Sequence, residues 1–410
     1  MTGTALHTHL ETRTSDSAAP RSATDDTPML QTRIDQVAAK GGGEVRVSPG
    51  HYTVAGLQLY SGVTLFLEKG VILQGGTDPE AYGSKGWHAA MIVTENMKDV
   101  AILGEGIIDG QNICRPGGEE GFRGFHALAF YDSVGVRVEG VTIQNAGNYA
   151  VLCQNSSKLS FHGLCILGGH DGIHIQKCRE VSVADIDFRT GDDCLAGTDN
   201  QDVCVEDCYF NTACNAFRLG VLRLTVRRCV FQGPGEHPHQ VSVIKQTPRF
   251  SMGAAFVHFS PTDRNPELPS DDWLIEDCTV DQCEALYLYN HKDGVWQTGQ
   301  PARNIRFRNI RATRLDKGIQ ILGDIQRSLH LDLSHMTLDL AEAHSDQPVM
   351  EIDQFGSLHM DHVTFSNNGK SPVLVARRGE RATLLKGKGA DSEQDFSAVL
   401  EEIQDITGDF

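Results

Sequence analysis

The chain has 410 residues, 40% of them hydrophobic and 22% charged, the balance of a globular protein with enough length for a large core. Its formal net charge of -18 leaves no basic surplus to neutralise phosphates, which argues against nucleic acid and an anionic membrane as partners. No apolar run in the sequence reaches the length that spans a bilayer.

Residues 1 to 27 are rich in Thr, Ser, Ala and Asp, carry no periodic apolar pattern and read as a flexible tail without a secretory signal. With eleven cysteines, an odd number, this predicts reduced thiols and a cytoplasmic location. A short helix is predicted next, because Met29, Leu30, Ile34, Val37 and Ala38 fall at helical spacing and Gly41 to Gly43 end it.

From there to residue 385 one theme recurs, a short alternating strand followed by a turn of small residues. It is plainest in Val136-Arg137-Val138, Leu159-Ser160-Phe161, Val181-Ser182-Val183, Val203-Cys204-Val205 and Leu224-Thr225-Val226, whose third residues are 23, 22, 22 and 21 positions apart. Later copies are read at Trp273-Leu274-Ile275, Ile305-Arg306-Phe307, Leu329-His330-Leu331 and Leu358-His359-Met360. A repeat near 22 residues with one strand motif and no recurring helix predicts an all-β solenoid, a right-handed parallel β-helix over residues 28–385. Three residues past each strand stand Leu164, Ile186, Cys208, Cys229 and Cys278, so cysteine alternates with aliphatic residues in one inward column. These thiols read as buried small hydrophobes rather than metal ligands, and the same holds for Cys194 and Cys214. The stretch 246–272, with Met252, Phe256 and Phe259, reads as an insertion forming a cleft wall or lid. Residues 386–410 read as a C-terminal helical segment: Ser392 and Asp395 resemble a helix start, and Phe396, Val399, Leu400, Ile403 and Ile406 fit one face. That helix is expected to cover the solenoid or to meet a second copy of the chain, leaving a homo-oligomer open.

The repeat converts spacing into geometry. Positions 149, 171, 193, 215 and 237 are each 22 apart and hold Tyr149, Asp171, Asp193, Asn215 and His237. Stacked coils set such residues about 4.7–4.9 Å apart. Asp171 and Asp193 then become neighbours, with Asp192 beside them. A single Asp in a turn more often bonds turn amides; three on adjacent coils beside Gly172 and Gly191 point to a site. Like charges this close raise at least one carboxyl pKa, giving the acid and base that glycosidic hydrolysis needs. Calcium binding is the other chemistry open to clustered carboxylates, but the column offers few further oxygens, so no metal and no cofactor are expected.

The same residues carry a resemblance. His170-Asp171-Gly172-Ile173-His174-Ile175 followed by Thr190-Gly191-Asp192-Asp193-Cys194-Leu195-Ala196 resembles the core of glycoside hydrolase family 28, whose pattern is Asn-Thr-Asp-Gly then Gly-Asp-Asp-Cys. Gly41 to Val45, Pro49 to Tyr52, Ser61 to Leu65 and Gly104 to Gly110 resemble its earlier landmarks. The family includes polygalacturonases and rhamnogalacturonan hydrolases with the pectin-lyase type of β-helix. The resemblance implies an inverting hydrolase of an oligo- or polysaccharide, with Asp192 as general acid and Asp171 and Asp193 holding and activating water. The chain departs from the family where Cys214-Asn215-Ala216 replaces Gly-His-Gly and Val243-Ile244-Lys245 replaces Arg-Ile-Lys. Asn215, Arg218, Lys245, His237 and His174 are therefore the expected sugar contacts, with His239 as a further substitute and Tyr289 aligning loosely with a family tyrosine. A lyase, epimerase or glycosyl (fructosyl) transferase on a similar sugar is the alternative, Lys245 or Arg218 serving as proton acceptor in a β-elimination. A non-catalytic carbohydrate-binding β-helix is the third reading.

Overall fold

The alternation read from the sequence becomes a ladder of parallel strands in the computed structural model, which describes residues 25–83, 89–292, 299–344, 346–367, 371–385 and 397–408. Val136-Arg137-Val138 pairs in register with Leu159-Ser160-Phe161, and that triplet with Val181-Ser182-Val183. The ladder continues through Val203-Cys204-Val205, Leu224-Thr225-Val226, Trp273-Leu274-Ile275 and Ile305-Arg306-Phe307. The next rung corrects the sequence reading. Ile305 pairs with Leu331, so the repeating triplet is Leu331-Asp332-Leu333 rather than Leu329-His330-Leu331. A slip of two residues keeps every side chain on its own face, so alternation cannot detect it.

Each coil carries three strands, as in Ile173–Gln176, Arg179–Ala184 and Asp187–Thr190. The chain is a right-handed parallel β-helix. Corners are turned by short polar residues such as Asp185 and Asp207, both at φ 55°, a left-handed conformation that Asp tolerates. The inward column is observed as predicted: Leu164, Ile186, Cys208, Cys229 and Cys278 are all buried. Beside it Phe188, Phe210 and Phe231 stack with ring centroids 4.9 Å apart at each step. Burying each such ring is worth about 1.5–3 kcal/mol, and the stack braces the coils that carry the carboxylates.

Both ends of the solenoid would expose unpaired strand edges. At the start, α1 (Thr27–Ala38) buries Leu30 and Ile34 against the first coil. Its side chains also pair that coil's free amides: Asp26 Oδ2 accepts from Thr53 N, Thr27 Oγ1 from Ala55 N and Gln31 Oε1 from Gln58 N. The tail preceding it, residues 1–24, lies outside the described residues. At the far end no helix is found among the described residues, 397–408. Ala398–Glu401 and Asp405–Gly408 are strands paired in parallel with Leu374–Leu385. Ser392, Asp395 and Phe396 lie outside the described residues. The helical spacing of Val399, Leu400, Ile403 and Ile406 loses to the backbone hydrogen bonds that the last coil offers. Of the stretch 246–272, expected as a cleft wall or lid, Ala254–His258 is a strand of the solenoid wall with Met252 and Phe256 buried.

Candidate active site

The carboxylate column forms as the spacing predicts as far as residue 215. Ala150 N donates to Asp171 O at 3.0 Å, Gly172 N to Asp193 O at 2.8 Å and Cys194 N to Asn215 O at 3.0 Å. Tyr149, Asp171, Asp193 and Asn215 thus follow one another coil by coil. The glycines make the close stacking possible: a Cβ at Gly191 would lie 2.5 Å from the Gly169 carbonyl oxygen. Beyond Asn215 the register breaks. Its partner in the next coil is Ala254, and residues 233–253 leave the wall as an excursion carrying α2 (Gln240–Ile244). His237 therefore falls out of the column and packs beside Gly168. Lys245 is exposed at the end of α2. From this excursion it is His239, the N-cap of α2, that comes within 3.6 Å of Asp192 Oδ2 through its Nε2.

The three carboxylates are all buried and are held differently. Asp193 accepts on Oδ1 from Asn215 Nδ2 at 2.8 Å and on Oδ2 from Arg218 Nε. Arg218 is itself held over the Phe259 ring, 4.6 Å from its centroid. Asp192 accepts on Oδ2 from Arg123 Nη2 at 2.6 Å and on Oδ1 from the Asp193 amide at 3.0 Å. Asp171 accepts on Oδ1 from Arg123 Nη1 at 2.9 Å. Its Oδ2 has no hydrogen-bond partner among the described residues and lies 3.8 Å from His174 Nδ1. Arg123 is the residue sequence reasoning missed. It sits alone in a Gly-rich loop with no periodic or spacing signal, and only folding brings it across the cleft. Glu120 fixes its Nε at 2.8 Å. The neighbouring Glu119 accepts from Tyr149 Oη at 2.9 Å and Asn148 Nδ2 at 3.1 Å, which ties the loop to the carboxylate column.

Burial and these cations push the pair apart. Burial first, and the Asp192 charge second, raise the Asp171 carboxyl to about 7 despite Arg123. Burial also opposes ionisation of Asp192, but the facing His239 and Arg123 hold it well below the usual carboxylate range. Burial raises Asp193 too, with Arg218 opposing. His170 and His174 are both lowered to about 3, chiefly by burial and then by Arg123 and Arg218 respectively, so both are neutral at ordinary pH.

His174 pairs in register with Leu152 and Ala196, and Ala196 with Arg218, so it faces outward with Arg218. It stacks on Tyr149 at 4.5 Å. Together they line a cavity of about 280 Å³ with Glu119, Phe259 and Arg264. Tyr289 does not join it. By alternation it points inward like Tyr287, is 2% exposed, and its hydroxyl accepts from Ala302 N at 3.0 Å. It borders instead a separate groove of about 430 Å³ farther along the solenoid.

Residues 43–213 match the family model of glycosyl hydrolases family 28. A probable polygalacturonase from Vitis vinifera is 24% identical over 189 residues, covering 40% of this chain and 38% of that protein. This chain therefore matches well under half the length of that relative. Among solved structures, a hyperthermoactive exopolygalacturonase from Thermotoga maritima has a TM-score of 0.62 at 16% identity, over 84% of this chain and 88% of that one. The Streptococcus pneumoniae surface protein and adhesin PfbA has a TM-score of 0.54 at 12% identity, over 96% of both chains. Likeness at these identities shows the β-helix alone, a scaffold those titles attach to an exopolygalacturonase and to an adhesin. Residues 43–213, the stretch that matches glycosyl hydrolases family 28, contain all three carboxylates of the site.

Proposed function

We propose that the chain is a glycoside hydrolase that cleaves an oligo- or polysaccharide by carboxylate acid/base catalysis with inversion. The observation that carries this reading is the buried pair Asp171 and Asp192, bridged by one guanidinium and driven in opposite directions in pKa. Two carboxyl groups set apart in this way supply a proton donor and a base at one pH. Asp192 donates to the leaving oxygen, and Asp171 and Asp193 hold the water. In the free protein Asp171 carries the proton. A sugar that enters the cleft and takes Arg123 away from Asp192 removes a cation holding Asp192 low, and the proton can pass between them. The cavity beside Arg218, His174 and Tyr149 is the proposed sugar subsite. A cytoplasmic location is proposed with it, supported by eleven cysteines that are all free thiols.

The raised pKa of Asp171 favours a second assignment, in which Asp171 donates and Asp192 acts as base. Aryl glycosides of graded leaving-group acidity separate the two. Under the first, Asp192→Asn keeps turnover of activated substrates and loses that of unactivated ones, while Asp171→Asn loses both; the second reverses the pattern. Proton NMR of the products tests the reaction class. A new reducing end of inverted configuration is expected, and an unsaturated sugar or no product from a broad oligosaccharide panel would overturn the hydrolase.

A further inference from the structure

We propose that Asp192, Cys214 and His239 form a binding site for a borderline-soft divalent cation of the zinc class in the wall of the carboxylate cleft. A carboxylate oxygen, a thiol sulfur and a ring nitrogen from these residues all lie within 4.8 Å of one another. They come from three separate stretches, and each is held in place. Asp192 has its carbonyl oxygen fixed by Thr190 Oγ1 at 2.6 Å and Thr212 Oγ1 at 2.5 Å. Cys214 N donates to Thr212 Oγ1 at 3.0 Å, and Asn215 Nδ2 donates to the Cys214 sulfur at 3.4 Å. His239 N donates to Arg249 O at 2.9 Å. Asn215 is thus a second-sphere donor that orients the sulfur of its neighbour.

The donor set selects the metal. Zinc-class ions take sulfur, imidazole nitrogen and a carboxylate oxygen, and three protein ligands leave a fourth position open. Calcium and magnesium require oxygen ligands in greater number than the one carboxylate here supplies. Around the site the buried Asp192 and Asp193 are balanced by the guanidinium groups of Arg123 and Arg218, so the thiolate formed on binding offsets part of the metal's charge. Binding breaks the Cys214 S–H bond, sends its proton to solvent and forms a sulfur–metal bond. A metal on Asp192 also withdraws that carboxylate from proton transfer, so occupancy blocks hydrolysis. This consequence rests on the proposed glycosidase reading, whereas the site itself does not. Cys214 and His239 both lie beyond residues 43–213, so the site combines an Asp of the matched region with ligands outside it.

The test is a titration of the full chain with cobalt(II), which reports thiolate ligation by a sulfur-to-metal charge-transfer band in the near ultraviolet. His335, Asp361 and His362 form another such group, exposed on the surface, so the titration is repeated in a His335→Ala/His362→Ala background. The band is expected in both proteins, is displaced by zinc, and disappears in Cys214→Ser. His239→Ala, which removes a partly exposed ring outside the core, is expected to weaken binding at least about tenfold. Absence of the band in the parent chain, or its survival in Cys214→Ser, overturns the site. A band in a protein that hydrolyses no sugar leaves the site standing and removes only the hydrolase.

Discussion

Arg123 precedes Asp171 by 48 positions in the chain and lies 2.9 Å from it in the fold. The other arm of the same guanidinium reaches Asp192 at 2.6 Å, so one cation serves two buried carboxylates. Although burial opposes its own charge, the two aspartates keep Arg123 firmly protonated. It is the hinge of the site's electrostatics, and removing it is the most informative single change.

Arg123→Gln leaves Asp171 and Asp192 buried without their shared cation. Breaking a buried pair of this kind costs about 3–5 kcal/mol, which urea denaturation measures. Because Arg123 lowers both carboxyls, both pKa values rise in the variant, and the acid limb of the pH–activity profile moves to higher pH. An unmoved limb means that the pair does not control activity.

The buried histidines set a pH dependence of stability. His170, His174 and His258 are each lowered to about 3, mainly by burial. Between about 3 and the ordinary histidine value near 6.5 the unfolded chain binds protons that the folded chain does not, so stability falls as pH falls through this window. Asp171 and Asp193 act oppositely, since a raised carboxyl contributes stability at low pH that is lost as pH rises through its folded pKa. Three groups outweigh two, and thermal unfolding is expected at lower temperature at pH 4.5 than at pH 7. His258→Gln should make the dependence shallower by about one proton.

Asn215 holds Asp193 through its side-chain amide at 2.8 Å. A hydrogen bond to a charged group is worth about 1.5–3 kcal/mol, so Asn215→Ala should lower kcat by roughly 10- to 150-fold. Asn215→His should not create polygalacturonase activity by itself. Val243, on α2, is exposed and brings no cation to the cleft.

Tyr289→Phe tests the corrected placement of that side chain. It removes the acceptor for Ala302 N and should cost about 1 kcal/mol of stability. KM for any sugar should not change, because the ring lies in the core. A rise in KM without loss of stability would return Tyr289 to the cleft.

Truncation after Leu385 strips the partner strands from Leu374–Leu385 and exposes a parallel edge. The expected outcome is a lower unfolding temperature and concentration-dependent self-association, seen by light scattering. A C-terminal helix packed on the side of the solenoid would give the first effect and not the second.

Much of this was legible in the residues. Val136-Arg137-Val138 and its successors announce the coil length, and the coil length places Tyr149, Asp171, Asp193 and Asn215 in one column. His237 was misplaced for a definite reason. Counting by 22 assumes no excursion, and residues 233–253 leave the wall before Ala254 takes up the ladder. Tyr289 was placed among the sugar contacts by a loose alignment with a family tyrosine, whereas the pairing of Tyr287 and Tyr289 with Ile319 and Ile321 sets both on the inward face. The C-terminal strands were read as helix because Val399, Leu400, Ile403 and Ile406 fit helical spacing, and a short segment takes its structure from the edge it meets.

The sequence by itself determined the β-helix, its inward cysteine column and the neighbourhood of the three aspartates, because each follows from short-range periodicity and a constant repeat. Only the tertiary structure decided which cations meet those aspartates. Arg123 in an irregular loop and His239 on an inserted helix arrive from segments that obey no period. The protonation of Asp171 and Asp192 depends on charges within a few ångströms rather than on chain position, and that distance exists only once the chain is folded.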